Sequence, residues 1–435
     1  MRYTLGIDIG TTGICALAFD RGSGKTLRAL NKPNSAKIDS LRSFERAQDP
    51  KTIIDTVYSL IAELENEFGL PESVGVTGQM HGIVYIDKNG EAVSPLYTWQ
   101  DQRASLVMQS GETYVSHIEK ETGYTVAAGY GLATHFYNIM NGEVPENANK
   151  ISTIHDYLVM KLAGLKEPIV HSSDAASLGL FDLENHVFDT DAVDKLGISQ
   201  SILPAVTSES VVAGYYKENI PVYVAIGDNQ ASFLGSAGRE EGTLLVNVGT
   251  GSQVSLIGDL VKSANGIECR PFIDGKYLLV GSSLCGGRAY AILEKFFRDV
   301  ANMCGADISS AYPFMDKWIE ENRTEEKLVV STLFDGTRQD PGKRGSISSI
   351  STTNLTPSAM MNGFMSGISA ELHGLYLDIC NMQSGAKATR MIGSGNGLRV
   401  NKRLCEIVSK MFGMKLELSD AKEEAALGAA FFAKK

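Results

Sequence analysis

Residues 3–20 read YTLGIDIGTTGICALAFD, two apolar runs on either side of the turn Gly10-Thr11-Thr12-Gly13. This pattern predicts two strands joined in a hairpin. Glycine permits unusual backbone angles and threonine adds a hydroxyl donor, so the turn can direct several hydrogen-bond donors towards a phosphate. The hairpin is therefore a candidate phosphate-binding element.

A second copy of the pattern lies about half a chain further on. Residues 242–257 read GTLLVNVGTGSQVSLI, in which the turn Gly249–Ser252 corresponds to Gly10–Gly13. Two such units indicate a duplicated α/β domain with both turns at a shared cleft, although short Gly/Thr turns also recur by chance. Asp8 corresponds to Asn247, so only one half supplies a carboxylate, as expected if one side alone holds a metal ion.

Length and composition limit the class of protein. A chain of 435 residues, 43% hydrophobic and 21% charged, is expected to fold into two or three domains. The formal charge of −11 argues against a nucleic-acid partner. No apolar run is long enough to span a membrane and no secretory signal is evident, so we expect a cytoplasmic protein. The six scattered cysteines suggest neither a zinc site nor disulfides.

The pattern between the two copies is that of alternating helices and strands. Asp49 followed by Pro50 and an apolar stripe to Leu64 predicts a helix, and residues 73–79 predict a strand that ends in small and polar side chains. Strand ends of this kind usually carry ligand groups in α/β sheets. Residues 235–242 are a candidate hinge, and residues 423–433 predict a closely packed helix around Gly428.

Two aspartates carry the candidate chemistry. Asp8 ends the first strand and is either a hard oxygen ligand for Mg²⁺ or a carboxylate bonded to the amides of its own turn. Asp228 follows an apolar run and is either a helix cap or the general base that takes a proton from a substrate hydroxyl. The residue types alone leave both alternatives open.

Two polar clusters have the character of a polyol site. Gly78–Gly82 and Trp99–Arg103 combine amide, imidazole, carboxylate, guanidinium and indole groups. Polyols are bound by dense polar networks beside an aromatic platform, whereas a satisfied structural network is the alternative. The Gly-Thr turns do not match a P-loop, and residues 393–397 lack the spacing of a dinucleotide fingerprint.

Six motifs in this order resemble the FGGY carbohydrate kinases. They are residues 6–12, 78–82, 99–103, 227–230, 249–251 and 393–395. The resemblance covers nearly the whole chain and implies the duplicated ribonuclease-H-like fold of the actin-like ATPases, with two domains around a central cleft. It further implies an N-terminal domain, residues 1–238, with the sugar site, and a C-terminal domain, residues 239–435, that binds ATP.

The resemblance also implies roles for individual residues. Asp228 would accept the proton of the sugar hydroxyl, and Asp8 would hold Mg²⁺ through water. The sugar pocket would be built from Gln79, Met80, His81, Trp99, Asp101, Arg103 and Asn229. ATP would be bound by Thr11, Thr12, Gly249, Thr250, Gly286, Gly395 and Asn396.

The implied activity is transfer of the γ-phosphoryl group of ATP to a ketose. Trp99-Gln100-Asp101 and residues 153–159 resemble the family members that act on sedoheptulose, whereas Asp228-Asn229 is the form found in those that act on xylulose. Xylulose and ribulose are therefore alternative substrates. An actin-like or chaperone-type ATPase and a degenerate sugar sensor are alternative classes, and a homodimer is an open alternative to a monomer.

Overall fold

A computed structural model describes residues 2–39, 42–259, 261, 263–264, 266–324, 326–337, 340–385 and 387–433. The chain divides into two compact units. Unit 1 comprises residues 1–238, 270–276 and 421–435, and unit 2 comprises residues 239–269 and 277–420. Among the described residues, no helix combines the length and the apolar character that crossing a membrane requires.

Unit 1 is built on a mixed seven-stranded sheet in the order β14-β15-β6-β1-β2-β3, with β16 pairing alongside β6. Its strands are β1 (Thr4–Ile9), β2 (Gly13–Asp20), β3 (Lys25–Pro33), β6 (Ser73–Gly78), β14 (Val212–Tyr216), β15 (Ile220–Tyr223) and β16 (Ile226–Gly227). Strands β1, β2 and β3 are antiparallel, whereas β6 runs parallel to β1. The predicted opening hairpin and the strand from Ser73 are both confirmed.

Helices pack on this sheet through apolar side chains that recur with the period of the helix and so lie on one face. Asp49 caps α1 by accepting hydrogen bonds from the amides of Lys51 and Thr52, and the buried stripe from Ile53 to Leu64 joins the core of the sheet. The predicted helix is thus confirmed. The helices of unit 1 are α1 (Pro50–Phe68), α2 (Tyr114–Thr122), α3 (Gly131–Met140), α4 (Ile154–Ala163), α5 (Ser172–Leu178), α6 (Thr190–Lys195), α7 (Asp228–Ala237) and α13 (Glu424–Phe432).

Shorter strands complete unit 1 outside the main sheet. They are β4 (Lys37–Ile38), β5 (Ala47–Gln48), β7 (Val84–Ile86), β8 (Leu96–Tyr97), β9 (Lys150–Ser152), β10 (Ile169–His171), β11 (Phe181–Asp182), β12 (Val187–Phe188) and β13 (Ala205–Thr207). Two 3-10 turns lie at Arg103–Ser105 and Gln200–Ile202. A second apolar core, which includes Tyr85, Leu132 and Leu178, holds this region together.

Unit 2 has a six-stranded sheet in the order β19-β20-β18-β17-β23-β24. Its strands are β17 (Thr243–Val248), β18 (Ser252–Gly258), β19 (Ile267–Pro271), β20 (Tyr277–Ser283), β23 (Arg390–Ser394) and β24 (Leu416–Leu418), with β21 (Val329–Ser331) and β22 (Ser346–Ser348) paired apart. Its helices are α8 (Gly287–Met303), α9 (Tyr312–Glu321), α10 (Pro357–Met382), α11 (Asn396–Val400) and α12 (Lys402–Phe412).

Five strands of each sheet share one arrangement, β3-β2-β1-β6-β15 in unit 1 and β20-β18-β17-β23-β24 in unit 2. In each, an antiparallel hairpin is extended by a third antiparallel strand on one side and by parallel strands on the other. The hairpins β1-β2 and β17-β18 are the two copies seen in the sequence. The predicted duplication of an α/β domain with the ribonuclease-H-like strand order is therefore confirmed.

Helix α13 packs into unit 1 although it follows the strands of unit 2 in the chain. A Cβ on Gly428 would lie 1.7 Å from the carbonyl oxygen of Ala231 in α7, so only glycine allows the two helices this approach. The predicted close-packed C-terminal helix is confirmed, and it supports the helix that begins at Asp228.

Candidate active site

Three strands of unit 1 end side by side. Asp8 in β1 is level with Thr77 in β6, and Gly227 at the end of β16 is level with Gly78. The amide of Gln79 donates to the carbonyl of Ile9, and the Thr77 hydroxyl donates to the carbonyl of Ile226. Because all three strands are parallel, the residues that follow them emerge at one edge of the sheet.

Asp228 lies at this edge as the first residue of α7. The N-cap is Gly227, and no side chain caps the helix. The alternative role of Asp228 as a helix cap is therefore not supported. Its Oδ1 accepts a hydrogen bond of 2.8 Å from Asn229 Nδ2. The helix N-terminus favours the ionised carboxylate.

The two candidate aspartates influence one another. Burial and the charge of Asp228 raise the pKa of Asp8 to about 7. Burial also raises the pKa of Asp228, while Arg270 and His155 act in the opposite direction. Within the described part of the chain, no hydrogen bond joins the Asp8 carboxylate to the turn at Gly10–Gly13. Each carboxylate disfavours the charge of the other, so a nearby cation would stabilise both in the ionised form.

A buried charge cluster lies behind these aspartates. His155 Nε2 is 2.9 Å from Asp174 Oδ1, and both side chains are fully buried. Burial alone would lower the pKa of His155, but the carboxylates of Asp174, Asp156 and Asp228 raise it to about 9. Asp156 accepts a hydrogen bond of 2.7 Å from the Thr153 hydroxyl. Within the cluster, His155 lowers the pKa of Asp228 and Asp174 raises it.

The loop after β6 holds Met80 and His81 against this site. Met80 is buried, and its Sδ lies 3.9 Å from Asn229 Nδ2. His81 has a φ of 73°, which is unusual for a residue other than glycine. Its amide donates to Ser177 Oγ at 3.1 Å, and its ring stacks on Tyr130 with centroids 4.6 Å apart. These contacts maintain the strained backbone and orient the imidazole.

Trp99 connects the second polar cluster to the first turn. Its side chain is 47% exposed, and Nε1 donates to the Thr11 hydroxyl at 2.9 Å. The Thr11 hydroxyl donates in turn to Gln79 Oε1, whose Nε2 donates to Gln48 at 2.8 Å. Gln48 Nε2 donates back to the Thr11 carbonyl. The network holds an indole face open to solvent.

Asp101 and Arg103 lie deeper than Trp99. Both side chains are fully buried, and Arg103 Nε donates to Asp101 Oδ1 at 2.8 Å. Arg103 also donates to Asn138 Oδ1 at 2.6 Å and stacks over Tyr97 at 4.0 Å. Although burial opposes it, Asp101 raises the pKa of Arg103. These contacts support the loop that carries Trp99. Among the described residues, they leave no part of either side chain open to a ligand.

Unit 2 brings the other predicted residues together around the turn at Gly249. A Cβ on Gly287 would lie 2.5 Å from the Gly249 carbonyl oxygen, and one on Gly286 would lie 2.6 Å from Gly251. Gly395, with a φ of 85°, approaches the Val248 carbonyl in the same way. Helix α8 begins at Gly287 and α11 at Asn396. The exposed Thr250 thus lies among close-packed glycines and two helix N-termini, which attract phosphates.

Thr12 is exposed on the first turn, and its carbonyl accepts from the Asn34 amide at 2.9 Å. Two further residues contribute to the site, although no sequence motif predicts them. Tyr130 stacks on His81, and the charge of Arg270 acts on Asp228. A lone arginine in an alternating strand gives no signal of its role. The sequence around Tyr130, which follows Gly129, also gives no indication that this side chain belongs to the site.

Both halves of the chain match one family. The N-terminal domain of the FGGY family of carbohydrate kinases matches residues 3–235, and its C-terminal domain matches residues 244–434. The chain is 27% identical to the sedoheptulokinase of Homo sapiens, over 98% of this chain and 96% of that protein.

Two crystal structures share the fold at 21% sequence identity. Glycerol kinase with ADP from Plasmodium falciparum superposes with a TM-score of 0.82 and covers 100% of this chain and 89% of its own. Xylulose kinase from Rhodospirillum rubrum gives a TM-score of 0.83 and covers 99% and 89%. Since the two family domains account for most of its length, the chain belongs to the FGGY family of carbohydrate kinases and is an ATP-dependent phosphotransferase that acts on a sugar.

Proposed function

We propose that this kinase transfers the γ-phosphoryl group of ATP to a hydroxyl of a ketose, with sedoheptulose as the preferred acceptor and sedoheptulose 7-phosphate as the product. The observation that carries the proposal is the position of Asp228, a carboxylate at the start of α7 with Met80 and Asn229 against it. The likeness to a sedoheptulokinase over the whole chain supports the choice of sugar.

In the proposed reaction, Asp228 acts as the general base. It accepts the proton of the attacking hydroxyl while that oxygen bonds to the γ-phosphorus, and the bond to the β-phosphate oxygen breaks so that ADP leaves with the electron pair. Burial raises the pKa of Asp228, so the carboxylate needs nearby positive charge to stay ionised at neutral pH. Arg270 and His155 supply that charge.

The sugar site is proposed to lie in the N-terminal domain, residues 1–238. Met80, His81 and Asn229 contact the sugar, and the exposed indole of Trp99 forms an apolar platform against its carbon atoms. Gln79 fixes the Thr11 hydroxyl beneath that platform. Asp101 and Arg103 act indirectly, because their mutual ion pair anchors the loop that carries Trp99.

Each Gly-Thr turn is proposed to supply hydrogen-bond donors for phosphate. Thr11 and Thr12 contribute donors in the first turn, while Gly249 and Thr250 contribute them in the second. Gly286, Gly395 and Asn396 hold the adenosine, where close-packed glycines bring backbone amides to the surface. Asp8 would hold Mg²⁺, and the bound ion would neutralise charge on the phosphates.

Xylulose is the second candidate substrate. Asn229 follows Asp228 directly and donates to its Oδ1 at 2.8 Å, so its amide is part of the acceptor site. A pocket whose polar groups match one set of hydroxyls rejects a sugar that leaves them unpaired. Sedoheptulose and xylulose differ in chain length, and therefore in the hydroxyl groups that can pair with the site.

The proposal is tested by measuring ADP release from the purified protein with sedoheptulose, D-xylulose, D-ribulose, glycerol or no acceptor. We expect the highest kcat/KM with sedoheptulose and a sugar-independent rate that is at least ~100-fold lower, since a general base acting on the hydroxyl contributes about that much. Equal ADP release with and without a sugar would instead indicate an ATPase of the actin or chaperone type. Mass analysis of the product establishes which hydroxyl is phosphorylated.

A further inference from the structure

Asp228 is preceded by a glycine in a strand of only two residues. Strand β16 consists of Ile226 and Gly227, so few backbone hydrogen bonds hold it against β6. A Cβ on Gly227 would lie 2.6 Å from Met80 Cε, so glycine gives Met80 room at this position. The glycine backbone is also the most permissive of all residues. Contacts from outside the strand are therefore needed to fix the direction in which the chain enters α7.

Two side-chain hydroxyls hold the peptide group between Ile226 and Gly227. The Thr77 hydroxyl donates to its carbonyl oxygen at 2.5 Å, and its amide donates to Ser173 Oγ at 3.0 Å. Thr77 lies on β6 and Ser173 in the first turn of α5, and both side chains are buried. Because the two ends of one peptide group are bonded to separate elements, its plane cannot rotate without the loss of a buried hydrogen bond.

Ser173 is itself oriented by His171, the last residue of β10. Burial lowers the pKa of His171 to about 4, so the ring is neutral at pH 7 and only one nitrogen carries hydrogen. That nitrogen is Nε2, which lies 3.3 Å from the Ser208 carbonyl oxygen, a group that can only accept. Nδ1 is therefore an acceptor, and it lies 2.9 Å from Ser173 Oγ. The Ser173 hydroxyl thus donates to His171 and accepts from the Gly227 amide.

We propose that Ser173 is a positioning residue for phosphoryl transfer: by holding the Gly227 amide, it fixes the first turn of α7 and with it the Asp228 carboxylate. This inference rests on the proposed role of Asp228 as the general base. A base acts only within hydrogen-bond reach of the hydroxyl from which it takes the proton. A small displacement of Asp228 therefore lowers kcat and leaves the binding of ATP unchanged.

The test is a double-mutant cycle between Ser173→Ala and Asp228→Asn, with Ser172→Ala as the matched control. Ser172 is the neighbouring serine of α5. Its side chain is also buried, and its hydroxyl makes no hydrogen bond with the residues that the structure describes. We expect Ser173→Ala to lower kcat about 10-fold and to change the KM for ATP less than about twofold, since misplacing a catalytic group by about 1 Å can cost up to about 10²-fold. Ser172→Ala should leave kcat unchanged.

The cycle separates positioning from a general effect on folding. In the Asp228→Asn background, Ser173→Ala should have almost no further effect on kcat, because the group that Ser173 positions is no longer a base. Ser173→Thr keeps the hydroxyl and should retain most of the wild-type kcat. Thr77→Val removes the bond at the other end of the same peptide group and should also lower kcat. Thermal unfolding shows which variants are folded, and if Ser173→Ala is not, the same cycle is run with Thr77→Val.

Three results would contradict the inference. They are an unchanged kcat in a folded Ser173→Ala protein, an equal loss of kcat in the wild-type and Asp228→Asn backgrounds, and an equal loss in Ser172→Ala. If Asp228→Asn turns over like the wild type, the proposed base is wrong and the role of Ser173 fails with it. If Asp228→Asn loses activity and Ser173→Ala does not, the role of Ser173 alone is wrong.

Discussion

As the proposed general base, Asp228 combines two requirements that conflict in a buried carboxylate. A base must be close to the acceptor hydroxyl and shielded from water, yet burial raises its pKa and favours the protonated form. The opposing charges of Arg270 and His155 act to lower that pKa, and the N-terminus of α7 also favours the ionised form. The same cations would become harmful without Asp228, since they would remain buried with less compensation.

We expect Asp228→Asn to lower kcat by about 10²- to 10⁴-fold, the usual contribution of a general base, while ATP binding is retained. Turnover and nucleotide affinity are measured on the same preparation. The control is Asp55→Asn, an exposed aspartate of α1 that pairs with Lys51. Turnover of the Asp228 variant within about threefold of the wild type, far below that range, would remove Asp228 from the role of base.

A second residue-scale prediction concerns His135 and the stability of unit 1. Burial lowers the pKa of His135 to about 4, whereas the unfolded chain has the ordinary value near 6.5. The unfolded state therefore binds the proton first, and stability is lost as the pH falls from about 6.5 towards 4. Replacing the histidine should make stability less sensitive to acid.

The corresponding experiment is urea unfolding at pH 7.5 and pH 5 for the wild type and His135→Gln. Between these values the wild type should lose roughly 2 kcal/mol more than the variant. His117→Gln, which replaces a partly exposed histidine, is the control. If the pH dependence of the variant and the wild type coincided, His135 would have no part in acid destabilisation.

Local signals in the sequence predicted some individual residues of the site and could not predict others. Asp8 and Asp228 stand out because each carboxylate interrupts or ends an apolar strand. Arg270 does not, because its role arises from the packing of Phe272 and Pro271 on α7, a contact between segments about 40 residues apart. Burial of Asp101 and Arg103 was equally unpredictable, since their ion pair replaces the water that charged groups normally require.

Helices α13 and α7 pack against each other backbone to backbone at Gly428, where there is no side chain between them. We expect Gly428→Ala to destabilise unit 1 by about 1 to 3 kcal/mol or more, because its Cβ would overlap the Ala231 carbonyl at 1.7 Å. Activity should fall too, since α7 positions Asp228. Gly374→Ala in α10 is the matched control. Apart from the backbone of its own helix, no atom lies within 4 Å of the added Cβ, so the change should stabilise the helix by ~0.5 to 1 kcal/mol. Equal melting temperatures for the two variants would contradict the packing argument.

The two hairpin turns are alike in backbone but differ in charge. Asp8 in β1 and Asn247 in β17 occupy matching positions, and Asn247 Nδ2 donates to Ser394 Oγ at 2.7 Å. We expect Asp8→Ala to reduce Mg²⁺-dependent turnover strongly and Asn247→Ala to reduce it much less, because only a carboxylate is a strong ligand for the ion. Mg²⁺ titrations of both variants measure this. Equal losses of turnover in the two variants would show that the difference between Asp8 and Asn247 is unrelated to Mg²⁺ binding.

Helices and strands with a local cause were predictable from the sequence. Asp49 and Pro50 specify the start of α1, and the alternating apolar residues specify both hairpins. The left-handed backbone at His81 was not predictable, because histidine has no preference for a φ of 73°. It is held by Ser177 on α5, whose contribution becomes visible only when the elements pack together.

At the scale of the whole molecule, duplication made the fold predictable. One pattern appears twice in the sequence, and each copy forms the hairpin of a sheet in which five strands have the same order. Residues 270–276 and α13 could not be assigned by position along the chain, because they return to unit 1 after strands of unit 2. Their placement depends on apolar and backbone contacts made across long sequence separations.

The choice of sugar depends on the whole acceptor site. Trp99-Gln100-Asp101, residues 153–159 and residues 174–177 resemble the family members that act on sedoheptulose, whereas Asp228-Asn229 is the form found in those that act on xylulose. Each buried polar group that a smaller sugar leaves unpaired costs about 1 to 3 kcal/mol, so kcat/KM should be higher for sedoheptulose than for D-xylulose.

Gln100→Asn tests this preference, because it shortens one amide next to the Trp99 platform by a single methylene. Gln100 is exposed, and its backbone is held by Thr98 and Gln102, so the variant should fold normally. We expect the ratio of kcat/KM for the two ketoses to narrow, with Gln109→Asn, at an exposed glutamine outside both polar clusters, as the control. Steady-state kinetics with both sugars measure this ratio. A wild-type preference for D-xylulose would reject sedoheptulose as the substrate, while the role of Asp228 would stand, since proton removal from the hydroxyl is common to every acceptor.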